Sequence, residues 1–180
     1  PQALLTGPLN VEAMSSTDDL IDTLENHDRA NKAFGRTLIR PTWRPDKAMK
    51  IFAPGWRDYI GQVEKRFDMK IETLSDLLDA TKKSHDFFAE HGCRASDHGI
   101  EYPVRADYRF EDADAAFRKA LSGKELTQEE TDCYMGTFLA EAAALNAETG
   151  WVTQLHIGAV RDVRKTLFDA LGPDVGGDVS

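Results

Sequence analysis

Cysteine is scarce in this sequence. Cys93 and Cys133 are the only two, forty residues apart and outside any CxxC or Cys/His spacing. That excludes zinc-ribbon and thioredoxin-like chemistry and predicts two buried, reduced thiols. Basic residues are in deficit as well, 22 Lys and Arg against 31 Asp and Glu, with a formal net charge of -9 and a pI near 5.0. An extended nucleic-acid interface needs clustered Lys and Arg, so nucleic acid is excluded as a partner and the acidic surface serves solubility. No run approaches the roughly 20 apolar residues of a membrane span. The N-terminus has neither the basic nor the apolar region of a signal peptide, which makes a cytoplasmic protein without membrane contact the expectation. Internal repeats and low-complexity segments are missing too.

What is present suffices for one sizeable core: 41% of the 180 residues are hydrophobic, which fits a single domain. Leu9 to Met14 reads as a strand, and Ser16 with Asp19 has the form of a helix capping box. The helix so opened would carry Leu20, Ile21 and Leu24 on one side and end at Gly35. Thr37-Leu38-Ile39 reads as a second strand, and Pro41 and Pro45 bracket the turn after it. Residues 46–92 are helical in pattern, broken near Pro54-Gly55, with a second capping box at Thr73 and Asp76. Leu74, Leu77, Leu78, Thr81, His85 and Phe88 then form a helical stripe that stops at Gly92. Cys93 to Asp97 is a short strand, Tyr102 to Phe110 is irregular, and Asp112 to Leu121 is helical. Thr127 and Glu130 open a long helix that closes on Gly150. Trp151 to Ile157 is an apolar, β-prone strand, Gly158 allows a tight turn, Arg161 starts a new amphipathic segment, and Gly172-Pro173 ends the last helix.

Strands near 9–14, 37–42, 94–97 and 151–157 therefore alternate with helices, the pattern of an α/β fold with a parallel sheet and right-handed crossovers. The crossovers 46–92 and 100–149 are longer than one helix requires and read as helical insertions. A complete (β/α)8 barrel takes about 250 residues, so the expectation is one helix-rich segment, residues 1–180, forming a partial TIM-type barrel of about four β/α units.

The polar clusters follow the strands: Thr17 and Asp18, Trp43 and Arg44, Asp97 and His98, then Gln154, His156 and Arg161. In parallel β/α folds such positions converge on one rim. Arg44, between two prolines, either grips a carboxylate through two parallel hydrogen bonds or caps its strand and pairs with Asp46 at the surface. Asp97-His98-Gly99 offers proton transfer or metal ligation; alternatively Asp97 caps a turn and His98 points to water. His156 is either a core histidine or a pocket residue, sharing a strand face with Gln154. His27, His85 and His91 fall in helical patterns as surface or packing residues, and Glu125, Glu129, Glu130 and Asp132 as a solvated helix start.

The motifs Pro41-Thr42-Trp43-Arg44-Pro45-Asp46, Ser96-Asp97-His98-Gly99, Trp151-Val152-Thr153-Gln154-Leu155-His156-Ile157-Gly158-Ala159-Val160-Arg161 and Leu171-Gly172-Pro173-Asp174 resemble those of the uronate isomerases, a branch of the metal-dependent amidohydrolase superfamily. The resemblance implies that the strands correspond to the third to sixth of a distorted (β/α)8 barrel. It implies interconversion of D-glucuronate with D-fructuronate and of D-galacturonate with D-tagaturonate, by loss of the C2 proton, a cis-enediol and proton return to C1. It further implies a divalent metal, zinc first, and a homo-oligomeric complete enzyme acting on a small uronic acid. Arg44, Trp43, Gln154 and Arg161 then become substrate-binding, Asp97, His98 and His156 catalytic, and His156 the residue nearest the metal. The family's metal anchors are a His-x-His pair at the first strand and an Asp near the last, and this sequence has no His-x-His. The expectation follows that these residues are the middle of a longer enzyme and alone lack metal and activity. Two other readings stand beside it: a metal hydrolase of the same superfamily, and a non-catalytic helical binding or scaffolding domain built from 46–92 and 100–149.

Overall fold

The computed structural model describes residues 2–35, 37–172 and 175–176. After a short helix α1 (Gln2–Thr6) the chain forms β1 (Ala13–Ser15) and β2 (Asp18–Asp19), then α2 (Glu25–Phe34), β3 (Leu38–Arg40) and β4 (Trp43–Arg44). Three helices follow, α3 (Asp46–Met49), α4 (Trp56–Phe67) and α5 (Leu74–Glu90), and lead into β5 (Ala95–Ile100). The last elements are α6 (Phe110–Leu121), α7 (Gln128–Thr149), β6 (Val152–Ile157) and α8 (Lys165–Leu171).

The pairings among the six strands described are parallel. β1 pairs with β3, and a second sheet runs β2-β4-β5-β6. Main-chain hydrogen bonds carry the ladder across both breaks: Ser16 N–H to Arg40 O at 3.1 Å, Thr42 N–H to Ser16 O at 3.1 Å, and Asp18 N–H to Thr42 O at 2.9 Å. β1 with β2, and β3 with β4, thus form two interrupted lines beside β5 and β6, in chain order. Pro41, which has no N–H to give, lies at the second interruption.

The helix expected to open at Ser16 and Asp19 begins only at Glu25, and it ends at Gly35 as expected. Asp18 and Asp19 are strand instead, because Ser16 Oγ donates to the Asp18 carboxylate at 2.7 Å rather than capping a helix. Asp19 Oδ1 and Asp22 Oδ1 accept the N–H groups of Ile21 and Leu24 at 3.2 and 2.6 Å, local turn bonds that compete with a helical ladder. Leu20 and Leu24 enter the core from that turn. The first strand also starts later than expected, and β5 extends three residues beyond Asp97, bringing His98 and Gly99 into the sheet. The amphipathic segment after Gly158 becomes helical only at Lys165. Pro173 and Asp174 lie outside the described residues.

Other signals hold. Thr73 with Asp76 and Thr127 with Glu130 both make reciprocal capping boxes, and Gly150 ends α7 at φ 69. On α5, Leu74, Leu77, Thr81, His85 and Phe88 are buried and Leu78 is partly so. Cys93 and Cys133 are buried and free.

Between sheet and helices lies an aromatic core. Trp56 meets Phe117 and Tyr134 edge-on at 5.5 and 6.2 Å, and Trp56 Nε1 and Tyr134 OH both donate to Ala48 O at 2.8 Å. Trp43 Nε1 donates to Ser84 Oγ at 3.0 Å, which donates to Leu20 O at 2.6 Å. These bonds remove the cost of burying four polar side-chain groups; they tie α3 to α4 and α7, and α5 to β4 and to the turn after β2. His85 stacks on Trp151 at 3.9 Å and meets Trp43 edge-on at 5.3 Å. No helix among the described residues is long and apolar enough to cross a membrane.

Burial pushes the His85 imidazole below its ordinary pKa, and a contact with Asn146 offsets this only in part. The folded state therefore holds the ring neutral where the unfolded chain would protonate it, so folding stability is full above about pH 6.5 and falls as the pH drops toward the lowered folded value. Urea unfolding of the full chain between pH 7 and pH 5 should show this loss, at most about 1.4 kcal/mol per pH unit from this residue. In His85→Phe, which keeps a stacking ring but has no proton to gain, that part of the slope should vanish.

Candidate active site at the strand ends

The C-terminal ends of β2, β4, β5 and β6 bring Asp19, Arg44, Asp97 and His156 together. Side chains alternate along a strand, and the hydrogen bonds show which face is which. Ser96 Oγ and Thr153 Oγ1 both accept from Asn146 Nδ2 of α7, at 2.7 and 2.8 Å, and thus face the helices. Asp97 and Gly99 on β5, with Gln154 and His156 on β6, take the opposite face, in a register that pairs Asp97 with Gln154 and Gly99 with His156.

On that face Arg44 stands between two carboxylates. Its Nε donates to Asp46 Oδ2 at 3.1 Å, and its Nη1 lies 3.5 Å from Asp97 Oδ2. The side chain keeps 31% of its surface exposed, while those of Asp46 and Asp97 keep 9% and 7%. His156 Nε2 lies 2.7 Å from Asp97 Oδ1, off the line of a regular hydrogen bond, and its ring is half exposed. Gln154 is exposed beside it.

Asp46 is the residue the sequence reading undervalued, as a surface partner of Arg44. It is buried, and its Oδ2 also accepts the Gly99 N–H at 2.7 Å. Burial raises its pKa, but the adjacent His98 ring and hydrogen bonds from the Gly99 N–H and Arg44 outweigh this and hold the carboxyl below its ordinary value. The available signal was the Arg-Pro-Asp spacing itself: Pro45 turns the chain into α3 and brings Asp46 back under Arg44.

Two expected pocket residues face the other way. Trp43 is fully buried and spends its only donor on Ser84, which makes it a core residue. His98 is fully buried as well, with Nε2 at 2.8 Å from Ser96 Oγ and Nδ1 at 3.5 Å from Asp46 Oδ1. As the neighbour of Asp97 on a strand, it must lie on the opposite face.

A cavity of about 600 Å³ opens beside Arg44, lined also by Thr17, Asp18, Asp19, Lys47, Lys50 and Arg161. Asp19, which the sequence suggests only as a helix-cap residue, accepts from Tyr59 OH at 2.6 Å and pairs with Lys47 at 3.0 Å. Burial and this carboxylate push the Tyr59 phenol far above its usual range, so it stays a donor. Asp18 is taken up by Ser16 and by His27, 3.5 Å away. A second cavity, about 460 Å³ and lined by Phe52, Trp56, Arg57 and Lys124 among others, includes no strand residue.

Among the described residues no three His, Cys, Asp or Glu side chains converge as a metal site. His156 and Asp97 offer two donors that already face each other. These residues therefore do not fit a divalent metal by themselves.

The glucuronate isomerase family model matches residues 1–180. The uronate isomerase of Thermotoga maritima is 46% identical over 180 residues, which is all of this chain and 40% of that protein. That of Bacteroides thetaiotaomicron is 40% identical over 170 residues, 94% of this chain and 36% of its own length. The crystal structure of the Thermotoga maritima uronate isomerase superposes with a TM-score of 0.91 over the whole chain and 40% of that structure. The glucuronate isomerase of Caulobacter crescentus, 23% identical, shares the fold with a TM-score of 0.85 over 99% of this chain and 37% of that structure. The chain thus spans about 40% of the length of these relatives. With the family model matched from end to end, and with the three internal motifs gathered at one set of strand ends, the chain belongs to the glucuronate isomerase family.

Proposed function

We propose that this chain forms the substrate-gripping wall of a uronate isomerase, an enzyme that interconverts D-glucuronate with D-fructuronate and D-galacturonate with D-tagaturonate. The observation that carries the reading is the Arg44 guanidinium, held between Asp46 and Asp97 at a cleft with His156 beside it. A planar fork fixed in this way suits a substrate carboxylate, which it can meet through two parallel hydrogen bonds. Arg161, on the rim of the cavity beside Arg44, adds positive charge for an acidic sugar, and Gln154, exposed on β6 two residues before His156, offers an amide to its hydroxyls.

The reaction moves hydrogen between adjacent carbons. A base takes the C2 proton, the released electron pair forms the C1–C2 double bond of a cis-enediol, and O1 gains a proton. A proton then returns to C1 as O2 gives up its own to form the C2 ketone. Asp97 and His156, 2.7 Å apart with the imidazole half exposed, form the pair suited to carrying such protons. His98, walled off behind β5, is assigned to holding Asp46 and Ser96 in place, and Trp43 to packing beneath the site. The divalent metal implied by the resemblance, zinc first, requires donors beyond those gathered here, and no step above passes through it.

Four parallel strand lines in chain order, with helices between them, are what an arc of a (β/α)8 barrel provides, and this is the architecture we assign. A homo-oligomeric cytoplasmic enzyme belongs to the same proposal on the resemblance alone. A scaffolding role receives less support. Of the large hydrophobics described within 46–149, only Phe52, Tyr102 and Phe110 are exposed, too few and too scattered for a docking face.

In the complete enzyme, Arg44→Ala should lower kcat/KM for D-glucuronate by about tenfold or more, since a hydrogen bond to a charged partner contributes roughly 1.5 to 3 kcal/mol. An unchanged value removes Arg44 from the substrate. Asp97→Asn, nearly the same in shape but a far weaker base, should reduce kcat by about a hundredfold or more. Turnover near the parent rate would assign the proton transfer elsewhere.

A further inference from the structure

Arg44 must be both mobile enough to meet a ligand and fixed enough to orient it, and two of the groups beside it, Asp46 and Gly99, have no task in the reaction above. Its Nε is anchored on Asp46 Oδ2, and that oxygen is anchored in turn on the Gly99 N–H at 2.7 Å. Gly99 leaves the guanidinium room. A methyl group there would stand 2.8 Å from Arg44 Nη2 and 3.4 Å from Asp46 Oδ2. The guanidinium therefore lies across the backbone of β5, and any side chain at this position would have to displace it. These are two independent constraints, one an acceptor and the other an absence of bulk, and both act on the same planar group. Together they hold its Nε on Asp46 and its Nη2 over Gly99, with Nη1 toward Asp97.

We propose that Asp46 and Gly99 are positioning residues for Arg44: the carboxylate sets the plane of the guanidinium, and the bare backbone at Gly99 gives it passage, so that the outer end of the fork meets the substrate carboxylate. This rests on the reading of Arg44 as the carboxylate-binding residue. Neither residue touches substrate. On substrate binding each acts through Arg44 and loses that effect once Arg44 is gone. A residue that merely stabilises the fold would instead keep its effect in the absence of Arg44.

The test is a double-mutant cycle in the complete enzyme, with kcat and KM for D-glucuronate measured separately for Arg44→Ala, Asp46→Asn and the double variant, and thermal unfolding recorded for each. Asp46→Asn should raise KM by roughly tenfold while kcat changes by less than about threefold, because a contact remote from C1 and C2 holds ground state and transition state alike. The double variant should be no worse than Arg44→Ala alone, within about twofold. Losses that multiply in the double variant, or a fall in kcat with unchanged KM, would overturn the proposal. Gly99→Ala repeats the cycle by crowding rather than by loss of charge, and it decides the matter if Asp46→Asn does not yield folded protein. If Arg44→Ala by itself leaves kcat/KM unchanged, the carboxylate-binding reading fails and takes this proposal with it. If Arg44→Ala is impaired but Asp46→Asn and Gly99→Ala are not, only the positioning role is lost.

Discussion

A buried carboxylate that has given up its water must be answered by donors, and the answer that Asp46 receives organises this molecule. One oxygen takes the Arg44 Nε–H and the Gly99 N–H, and the other faces His98. Those partners come from β4 and from two successive residues of β5, while Asp46 itself begins α3. Strand end, neighbouring strand and helix start are thereby locked at one point. β4 and β5 share only a single register pair, Trp43 with Ser96, so the ladder between them is short and the carboxylate supplies cross-linking that the backbone does not. Removing one partner of such a buried charge is far more damaging than never having had the pair.

Behind the cleft a second polar system does comparable work for the helices. Asn146 of α7 reaches Ser96 on β5 and Thr153 on β6 with one amide, and Ser96 passes the connection to His98. The same β5 segment is thus held from both faces, by ions in front and by neutral hydrogen bonds behind. An arrangement of that kind leaves little freedom to Asp97, which stands between them and carries the contact to His156.

Much of the fold was legible because its signals are local. The capping boxes at Thr73 and Thr127 formed as their three-residue spacing requires, and the stripe on α5 turned inward as its periodicity demands. The same spacing at Ser16 and Asp19 failed, since a serine hydroxyl can choose a nearby carboxylate over a backbone N–H and nothing in three residues of sequence decides between them. At the site, the residue types were legible but their directions were not. Asp97 and His98 are adjacent in sequence, yet in a strand they must part to opposite faces, and only the true length of β5 shows that both are strand residues. Trp43 beside Arg44 repeats the lesson. The importance of Asp46 was hidden for a different reason: its partners lie fifty residues away, at a strand end that had been expected to stop before reaching them.

Among the described residues β6 is hydrogen-bonded to β5 alone, and its Val152, Leu155 and Ile157 are 62%, 47% and 48% exposed. A strand edge of this kind is a template for a further strand. A strand laid along it would meet the outward N–H and C=O groups of β6 and cover those three side chains together, so the edge that carries His156 is also the edge at which this sheet accepts a neighbour.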